Sequence, residues 1–140
     1  MNYINRSLET VIKEVTKEYP VVLVTGPRQV GKTTMLLKMM EGTNRNYVSL
    51  DDLNERNLAK TDPQLFLELH KPPILIDEVQ YAPELFTYIK IYVDSHNDAG
   101  AFWLTGSQVF KLMGGVQESL AGRVAVLSMT TLSQAEIAGV

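Results

Sequence analysis

Val21-Val22-Leu23-Val24-Thr25-Gly26-Pro27-Arg28-Gln29-Val30-Gly31-Lys32-Thr33-Thr34-Met35-Leu36-Leu37-Lys38-Met39-Met40 joins three kinds of sequence end to end. The first five residues are apolar, mostly β-branched and bounded by Pro20 and Gly26, as expected of a strand buried on both faces of a parallel sheet. The stretch from Thr33 to Met40 is rich in helix formers and stops at Gly42, a helix C-terminal signal. Between them, Gly26 to Thr33 satisfies the pattern G-x-x-x-x-G-K-[ST] in the strand-to-helix context that gives the pattern meaning. Such a loop curls so that successive N–H groups and the following helix N-terminus face phosphate oxygens. On this reading Gly26, Pro27, Arg28, Gln29, Val30, Gly31, Lys32, Thr33 and Thr34 line a phosphate site. Lys32 brings a point charge to the β- and γ-phosphates, Thr33 a hydroxyl for Mg²⁺, and Thr34 a contact to the α-phosphate. Arg28 has two further readings, contact with a neighbouring subunit or an ordinary exposed loop arginine.

Outward from this unit the alternation continues. Ile4, Leu8, Val11, Ile12, Val15 and Tyr19 recur at helical spacing up to Pro20. Further strands are expected at 47–50, 74–77, 101–105 and 124–128, with helical patterns between. Asp62-Pro63 reads as an N-cap with proline at the first helical position, and Pro83 as the opening of a helix with the buried stripe Leu85, Tyr88, Ile89 and Tyr92. Asn97-Asp98-Ala99-Gly100 reads as a turn. Gly114-Gly115 interrupts the pattern after Ser107, so that connection is expected to be part helix and part loop. No new strand is expected after Met129. The fold expected is α/β, a three-layer sandwich around a mostly parallel five-stranded sheet, formed as a single domain over residues 1–140.

Pro73-Ile74-Leu75-Ile76-Asp77-Glu78 ends an apolar strand on two carboxylates. Parallel strands bring this end and the glycine loop to one edge of the sheet. Asp77 there holds Mg²⁺ together with Thr33, and Glu78 polarises the water that attacks the γ-phosphate. An acid directly after the aspartate separates hydrolases from nucleotide switches and small-molecule kinases, which often lack it. Gln80 either hydrogen-bonds Glu78 or faces solvent. The strand at 101–105 is followed by Gly106-Ser107-Gln108. Ser107 or Gln108, with Thr105 a third candidate, would distinguish triphosphate from diphosphate, and Ser107 reads equally as an N-cap of the next helix. Gly122-Arg123 stands before the last strand; Arg123 is either a finger reaching a neighbour's site or a plain surface arginine.

Composition narrows the field. The 140 residues carry 13 basic and 16 acidic side chains, a net charge of −3, so no general basic field holds nucleic acid and a DNA contact would have to be local. With no cysteine and only His70 and His96, a structural zinc site lacks ligands, and the chain suits a reducing cytoplasm. No apolar run reaches the length of a membrane span, and the first residues lack a secretory pattern. An Asn-Lys-x-Asp guanine signature is absent after the fourth strand.

Gly-Pro-Arg-Gln-Val-Gly-Lys-Thr-Thr, Ile-Asp-Glu-Val-Gln, Leu-Thr-Gly-Ser-Gln and Ser-Leu-Ala-Gly-Arg together resemble a bacterial and archaeal group of AAA-type ATPases, over nearly the whole chain. The resemblance implies a P-loop domain with strand order 5-1-4-3-2, the Walker A and Walker B motifs as quoted, and ATP and Mg²⁺ as ligands; a homo-oligomer is a separate expectation, tied to Arg123 completing a site in a neighbour. It also implies that the helical lid, its second sensor arginine and a C-terminal effector portion are missing from this chain. Two functions follow as expectations: Mg²⁺-dependent ATP hydrolysis with Glu78, Lys32, Ser107, Gln108 and Arg123 in the reaction, or a nucleotide-dependent switch that controls a protein or DNA partner with little hydrolysis.

Overall fold

A computed structural model describes residues 2–28, 30–107 and 109–129 of the chain. In order, these form α1 (Asn2–Val15), β1 (Val21–Thr25), α2 (Lys32–Met39), β2 (Asn46–Ser49), α3 (Leu53–Thr61), α4 (Pro63–Leu69), β3 (Ile74–Asp77), α5 (Leu85–His96), β4 (Phe102–Gly106), α6 (Val109–Leu120) and β5 (Val124–Ser128). A 3-10 turn, Val79–Tyr81, follows β3. All strand pairs are parallel and the order is β2-β3-β4-β1-β5, the expected 5-1-4-3-2 read from the other edge. The register aligns Thr25 with Gly106 and Ser128, and Ser49 with Asp77, so the strands end together at one edge.

Alternation along the strands divides the interior in two. Val21 and Leu23 of β1 join Ile74, Ile76, Phe102 and Leu104 beneath α3 to α6. Val22 and Val24 join Leu75 and Trp103 on the opposite face, against Ile12 of α1 and Met35 and Leu36 of α2. A strand with apolar residues on both faces is what a sheet covered on both sides requires.

Two local expectations are corrected. The buried stripe of α5 is Leu85, Phe86, Ile89 and Val93, whereas Tyr88 and Tyr92 are only half-buried. Pro83 sits in the turn before that helix, which begins at Leu85. The second correction concerns Gly114-Gly115, which does not interrupt α6. A Cβ at Gly115 would stand 3.0 Å from the Phe86 ring, so its absence lets α6 lie close against α5. Leu112, Val116 and Leu120 bury themselves there and offset a propensity cost of roughly 1 kcal/mol per glycine. Asp62 caps α4 as expected, accepting from the Leu65 N–H at 3.1 Å. The expectation for the stretch after Met129 lies outside the described residues.

Leu23 is fully buried in the middle of β1, an interior strand between β4 and β5. Leu23→Ala is expected to cost about 2–5 kcal/mol in urea denaturation. Ile91→Ala, at a side chain 55% exposed on α5, should shift stability by no more than about 0.5 kcal/mol.

Candidate functional site

The shared strand edge carries the chemistry. As β1 ends, Gly26 adopts φ 151°, and its N–H donates to the Gly106 carbonyl at 3.2 Å. A side chain at Gly26 would run into the Met129 carbonyl, which is fixed because the Met129 N–H donates to the Thr25 carbonyl at 2.7 Å. Only glycine serves at this turn. Pro27 and Arg28 are exposed, Val30 and Gly31 are half-buried, and Gln29 lies outside the described residues. Among the described residues no side chain caps α2, so the N–H groups of its first turn, at Lys32, Thr33 and Thr34, are open toward the loop.

Lys32 is only 4% exposed, and its Nζ donates to the loop carbonyls of Gly26 at 2.9 Å and Pro27 at 2.8 Å. Burial pulls the ammonium below the ordinary lysine value, an effect opposed by the carboxylates of Glu78 and Asp77. Thr33 donates from Oγ1 to Asp77 Oδ1 at 2.7 Å, across 44 residues of sequence.

Asp77, 6% exposed at the end of β3, also accepts from the Thr105 hydroxyl of β4, and the Tyr47 and Ser49 hydroxyls of β2 stand 3.4 Å from its other oxygen. Glu78, 5% exposed, takes the left-handed conformation with φ 60° and ψ 53°. Its N–H donates to Thr105 Oγ1 at 2.9 Å. Its Oε1 accepts from Gln80 Nε2 at 2.8 Å and from the Ser107 hydroxyl at 2.9 Å. Gln80 closes the ring, donating to Ser107 Oγ at 3.1 Å and accepting the Ser107 N–H at 3.3 Å. Of the two readings of Gln80, the one that holds Glu78 is the geometry found. Gln108 lies outside the described residues.

Two residues not singled out in the sequence complete the cluster. Asp51, just after β2, stands 3.2 Å from the Arg28 guanidinium, which also donates to the Tyr81 hydroxyl and lies 3.8 Å from Glu78 Oε1. The bond to Asp51, then the charge of Glu78, raises the Arg28 pKa above its ordinary value. Carboxylate oxygens of Asp51, Asp77 and Glu78 lie within 4.8 Å of one another. Asp51 could have been found from Asp51-Asp52 directly after a strand, by the reasoning that singled out Asp77-Glu78. Arg28, Gly31, Lys32, Thr33, Thr34, Asp51, Asp77 and Glu78 line a cleft of about 210 Å³. A larger groove of about 670 Å³ between α4 and α5 is mainly apolar and contains none of them, so size alone does not mark the chemistry.

Arg123 is not brought into this cluster. Its carbonyl accepts from the Val21 N–H, which puts it at the opposite rim of the sheet, and its guanidinium holds Asp94 with contacts of 2.6 and 3.1 Å.

A sequence model of the AAA domain matches residues 18–138. An uncharacterized protein of Mycobacterium tuberculosis is 37% identical over 119 residues, 84% of this chain and 26% of that protein, and one of Mycobacterium bovis matches to the same extent. The chain therefore spans about a quarter of the length of these curated relatives. Among solved structures, the Walker-type ATPase of Pyrococcus abyssi is similar with a TM-score of 0.62 and 19% identity, covering 91% of this chain and 52% of that one. RuvB of Thermotoga maritima is similar with a TM-score of 0.57 and 19% identity, covering 93% and 44%. These structures share the α/β fold of the P-loop NTPases, and by its matching residues the chain belongs to the AAA domain family.

Proposed function

We propose that the chain is the ATPase domain of a longer protein, binding ATP with Mg²⁺ and hydrolysing it. The observation that carries this reading is the Thr33–Asp77 contact of 2.7 Å beside a buried Lys32 and a buried Glu78, all on one cleft. Lys32 exchanges its bonds to the Gly26 and Pro27 carbonyls for the oxygens of the β- and γ-phosphates, and the open N–H groups of α2 receive the remaining phosphate charge. Gly26, Pro27, Val30, Gly31 and Thr34 line the phosphates with their main chain, and Arg28 meets them with its guanidinium. The Thr33 hydroxyl and the carboxylate of Asp77 are the hard oxygen donors that suit Mg²⁺, which when bound neutralises charge on the β- and γ-phosphate oxygens.

Glu78 accepts a proton from the water that attacks the γ-phosphorus, the bond from that phosphorus to the bridging oxygen breaks, and ADP and phosphate leave. Ser107 and Gln80 hold the carboxylate for this task, and Ser107, or Gln108 beside it, senses the γ-phosphate. Arg123 serves the site of a neighbouring copy in a homo-oligomer, since within one chain it stands at the far rim. The work driven or regulated belongs to a C-terminal effector in the cytoplasm. Among the described residues no helix is long and apolar enough to cross a membrane.

One observation favours a second reading, a nucleotide-dependent switch with slow hydrolysis. The same Glu78 oxygen already accepts from both Gln80 and Ser107, so a proton acceptor is engaged before any water arrives.

Isothermal titration with ATP, ADP and GTP in Mg²⁺, paired with phosphate release, separates the readings. Lys32→Ala should weaken ATP binding at least about 30-fold, matching the roughly 2 kcal/mol or more lost when a buried charge loses its partner. Retained affinity would refute the phosphate site. Glu78→Gln should keep ATP binding while phosphate release falls about 10²- to 10⁴-fold. Binding without release in the unaltered chain would select the switch. For Arg123, mixing inactive Arg123→Ala and Lys32→Ala chains should recover part of the activity, because some interfaces then pair an intact loop with an intact arginine; no recovery counts against a shared site.

A further inference from the structure

We infer that Asp51 is an internal competitor for the terminal phosphate. It holds the Arg28 guanidinium across the mouth of the cleft, and a triphosphate must displace it to recruit that arginine. The inference rests on the phosphate site proposed above and adds to it the residue that sets discrimination between triphosphate and diphosphate.

Arg28 projects from the loop between Gly26 and Lys32, and its guanidinium is held by three groups, each from another part of the edge. Asp51 follows β2, Glu78 follows β3 and Tyr81 lies in the 3-10 turn. Tyr81 is itself fixed, because the Arg56 guanidinium lies 3.7 Å from its ring centroid while Arg56 Nε donates to the Leu50 carbonyl at 2.8 Å. One part of the anchor for Arg28, the Tyr81 hydroxyl, is therefore held in place by Arg56.

The pairing is also easily broken. Arg28 and Asp51 side chains are each 49% exposed, and pairs so open to water are weak, changing an equilibrium by only a few-fold. A phosphate group carries more charge than a carboxylate and presents several oxygens to a guanidinium, which binds such oxyanions in bidentate fashion. Arg28 lies within 3.8 Å of Glu78, the residue proposed to face the attacking water, so its guanidinium is on the γ-phosphate side of the cleft. A diphosphate leaves that side empty and gives Arg28 no reason to leave Asp51. Moving Arg28 onto phosphate also frees the Glu78 carboxylate of one neighbouring cation, which ties the exchange to the hydrolytic residue.

The test is the ATP-to-ADP affinity ratio of the 140-residue chain, measured by titration in Mg²⁺. Asp51→Asn removes the competing charge and should tighten ATP binding about two- to five-fold with ADP affected less. Arg28→Ala should weaken ATP selectively and lower the ratio, and adding Asp51→Asn to Arg28→Ala should produce no further gain. Both side chains are half-exposed, so matching thermal midpoints will establish that all variants fold alike. An unchanged ratio in Asp51→Asn overturns the inference. Weaker ATP binding in Asp51→Asn overturns it as well, showing that Asp51 instead helps hold Mg²⁺ beside Asp77. If the unaltered chain binds neither nucleotide, the phosphate site falls and the inference with it, whereas binding with the wrong Asp51 response sinks the inference alone.

Discussion

Asp77 is a carboxylate held at 6% exposure at the end of an otherwise apolar strand, and the rest of the edge is arranged to make that possible. Removing an ion of this size from water costs several kcal/mol unless hydrogen bonds replace the lost hydration. Its close donors are Thr33, on the helix after the glycine loop, and Thr105, on β4, while Tyr47 and Ser49 of β2 stand farther off. Together they come from three different elements. The strand order puts β3 between β2 and β4 and β4 beside β1, so the carboxylate gains its donors only when β2, β3, β4 and the β1–α2 unit have assembled in register. One buried charge thereby couples the loop to the fold.

The two cations of the cleft sit on the loop side, Lys32 buried and Arg28 exposed, and three carboxylates face them from the ends of β2 and β3. Lys32 satisfies itself on the carbonyl dipoles of its own loop, which a phosphate can outbid because it meets the ammonium with full negative charge. Arg28 satisfies itself on carboxylates. The two cations thus start from different partners, and an anion entering the cleft competes with a dipole at one and with a charge at the other.

Legibility in the sequence followed the range of the interactions. The strand, loop and helix of residues 21–40 were readable because their pattern is local, and the parallel sheet because its strands are apolar on both faces. That Asp77 and the loop share an edge followed from parallel topology alone. Side-chain partners were another matter: the contact of Gln80 and Ser107 with Glu78 spans β3 and β4, and nothing in the spacing of these residues along the chain distinguishes it from solvent exposure. Asp51 is hidden in the sequence for a related reason, since β2 is an edge strand with two exposed residues and a weak apolar signal. In α6, packing against Phe86 overrode the local meaning of Gly114-Gly115.

Glu78 is where local preference and global arrangement disagree most. Its left-handed backbone costs a residue other than glycine or asparagine on the order of 1–3 kcal/mol, and such strain persists only where the surroundings over-determine it. They do so here: Thr105 takes the Glu78 N–H, Gln80 and Ser107 hold the side chain, and Arg28 stands near the same oxygen. Glycine would relieve the strain and leave the turn intact. A glutamate at this position is therefore not explained by the turn it occupies. What it adds is a carboxylate, buried beside Asp77, and the neighbours that aim it are the same ones that hold the strained backbone in place.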